Sequence, residues 1–84
     1  MNTTEAARAI VRASGKSLRA ISLDMNRSET YVSSAIGQAE RMQADLNAST
    51  VASIAAACGY ALALVPVDEL PEGAVVIDAP ERKQ

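Results

Sequence analysis

Between residues 28 and 34 the chain offers four hydroxyl side chains, Ser28, Thr30, Ser33 and Ser34, interleaved with Glu29 and Tyr31. Short hydroxyls donate and accept hydrogen bonds while letting a backbone approach closely, which suits them to base edges and phosphates. Tyr31 adds a ring able to stack or to meet a thymine methyl, and Glu29 an acceptor for a cytosine amino group. Lys16, Arg19 and Arg27 bracket the cluster, and with Ser17 they form a set suited to neutralising phosphate. The plainer reading of the same residues is a solvated helix face with ordinary surface charge.

Catalytic chemistry finds no comparable set. There is no histidine to act as a base or metal ligand, no glycine-rich phosphate loop, and no serine beside a plausible activating base. No enzymatic activity, metal or cofactor is therefore expected. The single cysteine, Cys58, has no partner for an internal disulfide and reads as a small core residue. Together with the lack of a charged-then-apolar leader, this makes a cytoplasmic setting the expectation. No apolar run approaches the ~18 residues that signal a membrane span.

The elements that must position the cluster follow from period and caps. Thr3 or Thr4 is expected to cap a first helix running to about Ala13, with Ala6, Ala9, Ile10 and Ala13 as its apolar positions and Gly15 as its stop. Ser17 caps a short second helix with Leu18, Ile21, Ser22 and Met25 on one face. The chain then reverses at Asn26, a residue that tolerates a left-handed backbone. Ser28 is expected to cap a third helix, with Glu29 favourably placed for its dipole and Val32, Ala35 and Ile36 turned inward. Gly37 should close it, leaving residues 38–45 as a loop. A further helix from about Asn47 or Ser49 carries Val51, Ile54, Ala55 and Cys58, with Gly59 as its stop.

Beyond Gly59 the period falls to two: Tyr60, Leu62 and Leu64 alternate with Ala61, Ala63 and Val65, the pattern of a strand that ends at Pro66. An acidic turn, residues 68–73, leads to a second short strand, residues 74–78. The whole reads as a mainly α fold, a four- to five-helix helix-turn-helix domain (residues 1–65, motif 17–36) followed by a C-terminal β-hairpin (residues 60–79). Residues 80–84 are expected to fray.

Eighty-four residues suffice for one small domain, with seventeen alanines and no Phe or Trp to fill its core. So few bulky anchors make further burial in a homodimer physically reasonable. The exposed edge of the hairpin, through Leu62, Leu64, Val75 and Ile77, is the expected dimerisation surface. The net charge of −2 hides an asymmetry: residues 1–28 carry five basic and two acidic side chains, residues 51–84 two basic and five acidic. The amino-terminal part suits phosphate, and the carboxy-terminal part does not.

On residues 17–36, followed by residues 46–64, the chain resembles phage-repressor and Cro-type helix-turn-helix proteins, also called the Xre family. The likeness spans roughly residues 4–65. It implies an α-helical, usually dimeric, double-stranded DNA-binding domain acting as a transcriptional regulator in a phage, mobile element or toxin–antitoxin operon. Carried onto this chain, Ile21, Met25, Val32 and Ala35 become packing positions and residues 28–34 the start of the recognition helix. Two such helices in a dimer would read an inverted repeat from major grooves about 34 Å apart. Three positions depart from the family pattern: Ser22 stands where a small alanine is usual, Asn26 replaces the turn glycine, and Leu18 replaces a glutamine that often touches phosphate. Phosphate anchoring then falls to Ser17, Lys16, Arg19 or Arg27. A second expectation keeps the fold but assigns it to protein binding, as an antitoxin meeting its toxin or a phage-encoded inhibitor meeting a host defence nuclease. The acidic carboxy-terminal part favours it, since such a segment imitates nucleic acid or meets a basic partner.

Overall fold

A computed structural model describes residues 1–78 of the chain. Four helices follow one another: α1 (Thr3–Ser14), α2 (Leu18–Asp24), α3 (Tyr31–Arg41) and α4 (Ala48–Ala57). They enclose one small core of Ala7, Val11, Ile21, Val32, Ile36 and Ile54, with Leu18, Met25, Tyr31, Leu46, Ala57 and Cys58 packed around it. With no large aromatic inside, the helices approach closely, and methyl-scale complementarity carries the packing.

Helix α1 begins one residue earlier than Thr3 or Thr4 as cap would place it. Asn2 is the N-cap: its side chain accepts from the Glu5 N–H, and the Glu5 carboxylate accepts from the Asn2 N–H. This reciprocal box satisfies two donors that a helix start leaves orphaned. Thr4 is thereby released for another task, and its buried hydroxyl donates to the Ala44 carbonyl at 2.8 Å and accepts from the Leu46 N–H at 3.2 Å. These bonds tie the start of α1 to the loop before α4. The buried stripe of α1 is Ala6, Ala7, Ile10 and Val11, whereas Ala9 is half-buried and Ala13 exposed. The expected stripe was rotated because alanines sit on every side of this helix and mark no face. Gly15, at φ +70°, ends α1.

Helix α3 is displaced toward the carboxy terminus at both ends. Its N-cap is Thr30, not Ser28, and it runs through Gly37 to Arg41. A glycine inside a helix costs on the order of 1 kcal/mol relative to alanine. Burial of Ala39 and a two-pronged ion pair from Arg8 of α1 to Glu40, at 2.7 and 3.2 Å, hold the last turn in place. Helix α4 follows the expected pattern: Asn47 caps it, Val51, Ile54 and Ala55 are buried, and Gly59 stands at φ +83° just beyond it.

The C-terminal hairpin is not formed. Among the described residues there is no strand, and the backbone of residues 61–65 makes no hydrogen bond. Pro66 leads into a 3-10 turn, Val67–Glu69, and a bend at residues 71–74 follows. Residues 74–78 make no backbone bond to residues 60–66; instead the Asp78 N–H donates to the Met1 carbonyl and the Asp78 carboxylate meets the Met1 amine. Two prolines and the bend between the prospective strands send the chain past the geometry a tight hairpin needs. Residue 79 and the expected frayed tail, residues 80–84, lie outside the described residues.

Candidate nucleic-acid interface

Helices α2 and α3 are joined by residues 25–30, the order of elements expected of a helix-turn-helix. Ser17 caps α2, its hydroxyl accepting from the Ala20 N–H at 3.0 Å. Asn26, at φ +59°, supplies the left-handed residue of the turn, as its short polar side chain allows. Met25 packs half-buried against the core, while Ile21 and Val32, facing across the unit, are fully buried.

Ser22 links α2 to the first turn of α3. Its side chain is fully buried, donating to the Leu18 carbonyl at 2.7 Å and accepting from the Val32 N–H at 3.0 Å. Thr30 offers α3 no side-chain cap, so the hydroxyl of the preceding helix satisfies a donor in the first turn of α3. A cap supplied from ten residues upstream joins the two helices through a polar contact inside an apolar interface. In the sequence Ser22 is only a departure from a usual alanine. The signal for its role is a lone hydroxyl at an inward position four residues before Asn26.

The hydroxyl cluster divides. Ser28, Glu29 and Thr30 lie exposed on the turn before α3, and Ser33 and Ser34 lie exposed on its first turn. The Ser33 hydroxyl donates to the Thr30 carbonyl at 3.1 Å, a local bond that an outside acceptor can replace. Tyr31 is half-buried against the core, with the Arg27 guanidinium 4.9 Å from its ring centroid. It therefore acts as a platform for Arg27.

Of the expected phosphate-contacting residues, Lys16 and Arg19 each meet a carboxylate of the chain. Arg19 reaches Glu29 at 3.1 Å, both largely exposed, linking the start of α2 to the turn before α3. Lys16 binds Asp24 at 2.6 Å and donates to the Ala57 carbonyl at 2.9 Å, next to the end of α4. Its ammonium thus serves a helix C-terminus, where positive charge is favoured. Arg19 and Arg27 remain as the exposed cations nearest the hydroxyls. Residues that the sequence pattern did not single out also face the motif: Ser49, Thr50 and Ser53 of α4 line, with Asp24, Arg27 and Tyr31, an open depression of about 460 Å³.

Of the expected dimerisation residues, Leu62 and Leu64 are exposed, whereas Val75 and Ile77 are half-buried on a segment that does not pair with residues 60–66. The four therefore do not form one hairpin edge. Among the described residues no helix is long and apolar enough to cross a membrane, and no cluster of metal-ligating side chains occurs.

No family model, no curated protein and no solved structure matches the chain. Among the described residues the chain is a mainly α domain of four helices.

Proposed function

We propose that the protein is a sequence-specific DNA-binding regulator of the phage-repressor and Cro type, a dimer acting as a repressor of its own or a neighbouring operator. The observation that supports this reading is the pair α2 and α3, joined through the Asn26 turn and the Ser22–Val32 hydrogen bond, with Ser28, Thr30, Ser33 and Ser34 exposed before and within the first turn of α3, and Arg19 and Arg27 exposed as well. In this reading the exposed hydroxyls and Glu29 meet base edges in the major groove, and Arg19, Arg27 and the backbone near Ser17 meet phosphate. Tyr31 contributes by holding Arg27 in place rather than by contacting a base. Lys16 secures α4 and joins the phosphate surface only if its bonds to Asp24 and Ala57 yield.

The test is a pair of substitutions, Arg19→Ala with Arg27→Ala, assayed by fluorescence anisotropy on DNA from the region upstream of the coding sequence. Loss of two phosphate contacts per copy should reduce the slope of log affinity against log salt by about two per copy. An unchanged slope with the helical fold intact overturns the assignment of these residues.

The second reading, binding of a toxin or a nuclease through the same fold, is favoured by one observation: Arg19 and Lys16 are already paired with Glu29 and Asp24. Under that reading the double substitution leaves function intact.

A further inference from the structure

One face of α3 lies opposite its core-facing stripe of Val32, Ile36 and Ala39. At about 3.6 residues per turn, that face carries Thr30, Ser33, Ser34, Gly37 and Arg41. Gly37 is half-buried and the other four are exposed. Apart from Arg41, the row holds only glycine and short hydroxyl side chains.

Glycine weakens a helix interior, and no positive φ calls for it at position 37. A Cβ there would lie 3.3 Å from the Arg41 Nη1; beyond the chain neighbours and the helix backbone, no other group comes within 4 Å of that position. Gly37 therefore clears a berth for Arg41. The arginine leans back one turn toward the start of α3, as long helical side chains do, and the missing Cβ lets it lie low over the backbone. Its guanidinium stands beside Gly37, not among the last carbonyls that a cation at a helix end serves.

Arg41 also differs from the other cations near the motif in what it touches. Arg8, Lys16 and Arg19 meet carboxylates, and Arg27 stacks on Tyr31. Arg41 makes no ion pair among the described residues. It is the one side chain of the row long enough to reach past the hydroxyls. From Ser34 to Gly37 is roughly 4.5 Å along the helix, little more than one base-pair rise of about 3.4 Å.

We infer that Arg41, laid along α3 by the clearance at Gly37, is a specificity-determining residue that reads a guanine next to the base pairs met by the hydroxyls. A guanidinium in the middle of this row faces the groove floor, where the O6 and N7 of guanine accept its two parallel donors, whereas phosphates flank the groove. The inference rests on the regulator reading above and deepens it.

The experiment selects binding sites from randomised DNA duplexes with the wild type and with Arg41→Ala, Arg41→Lys and Gly37→Ala, each checked for helical circular dichroism. The wild type should select a guanine at a fixed position. Arg41→Ala should lose the preference at that position alone, with affinity for the selected site falling roughly 5- to 150-fold. Arg41→Lys keeps the charge but not the fork, so the slope of log affinity against log salt should hold while the guanine preference is lost. Gly37→Ala should weaken the same preference while raising Tm by about 4–8 °C. Uniform weakening across sequences by Arg41→Ala, with the salt slope reduced by about one, would make Arg41 a phosphate contact and overturn the inference. So would a guanine preference that survives Arg41→Ala or Arg41→Lys, or a Gly37→Ala protein that melts lower than the wild type. A wild type that selects no sequence overturns the regulator reading and this inference with it, which distinguishes the two failures.

Discussion

Replacing Ser22 by alanine tests whether one buried hydroxyl joins the two helices of the motif. The substitution removes the acceptor that the Val32 N–H has among the described residues, and Val32 is a fully buried residue at the start of α3. Leaving a buried donor unpaired costs about 1–3 kcal/mol. Alanine recovers roughly 0.5 kcal/mol through its better helix propensity, so the net loss is on the order of 1.5 kcal/mol. For a domain of this size that lowers Tm by about 6–12 °C. The assay is urea unfolding followed by circular dichroism, with the m value expected to be unchanged because the folded state buries the same surface. Ser33→Ala, at an exposed site, serves as the control and should stay within about 0.5 kcal/mol of the wild type. A Ser22→Ala protein as stable as the wild type, or more stable, would refute the reasoning, since it would show that α3 does not depend on this bond.

Glu29→Gln should release Arg19 and remove a negative charge from the proposed phosphate surface; non-specific DNA affinity, measured against bulk competitor, is expected to rise several-fold, and no change counts against the placement of Arg19. The Arg8 guanidinium holds the Glu40 carboxyl below its ordinary range. The ion pair therefore contributes stability at neutral pH, in full above the ordinary carboxylate value, and that contribution is lost as pH falls through the lowered one. Glu40→Gln should flatten the acid side of a Tm-against-pH curve, and an unaltered acid limb would show the pair to be idle. Ile54→Ala opens a cavity at a fully buried site and should cost 2–5 kcal/mol in the range typical of such truncations; a cost below about 1 kcal/mol by urea unfolding would mean that α4 is not packed as described.

The sequence signals that held are local ones. Ser17, Asn26, Gly15, Asn47 and Gly59 each act on backbone within four residues, so α2, its turn and α4 stood where caps and breakers placed them. Helix α3 shows the limit of that logic. Ser28 and Gly37 are good local markers of a start and a stop, but tertiary contacts outweigh both: Ser22 caps from another helix, and Arg8 clamps Glu40 beyond the glycine. The alternation of residues 60–65 pointed to a strand that the fold does not form, because a strand needs a partner and a partner is not a property of the segment itself. Residues 74–78, beyond two prolines and a bend, do not pair with it. For the candidate site, the exposed hydroxyls were visible in the sequence. The burial of Tyr31 beneath Arg27 and the use of Lys16 to hold the end of α4 required the fold.

The most direct test of the central claim is binding of the purified, full-length protein to labelled DNA from its own upstream region, against scrambled competitor, at two salt concentrations. The account predicts tight binding that resists the competitor and weakens with salt. A folded protein that shows no preference for that DNA over the scrambled sequence would contradict it.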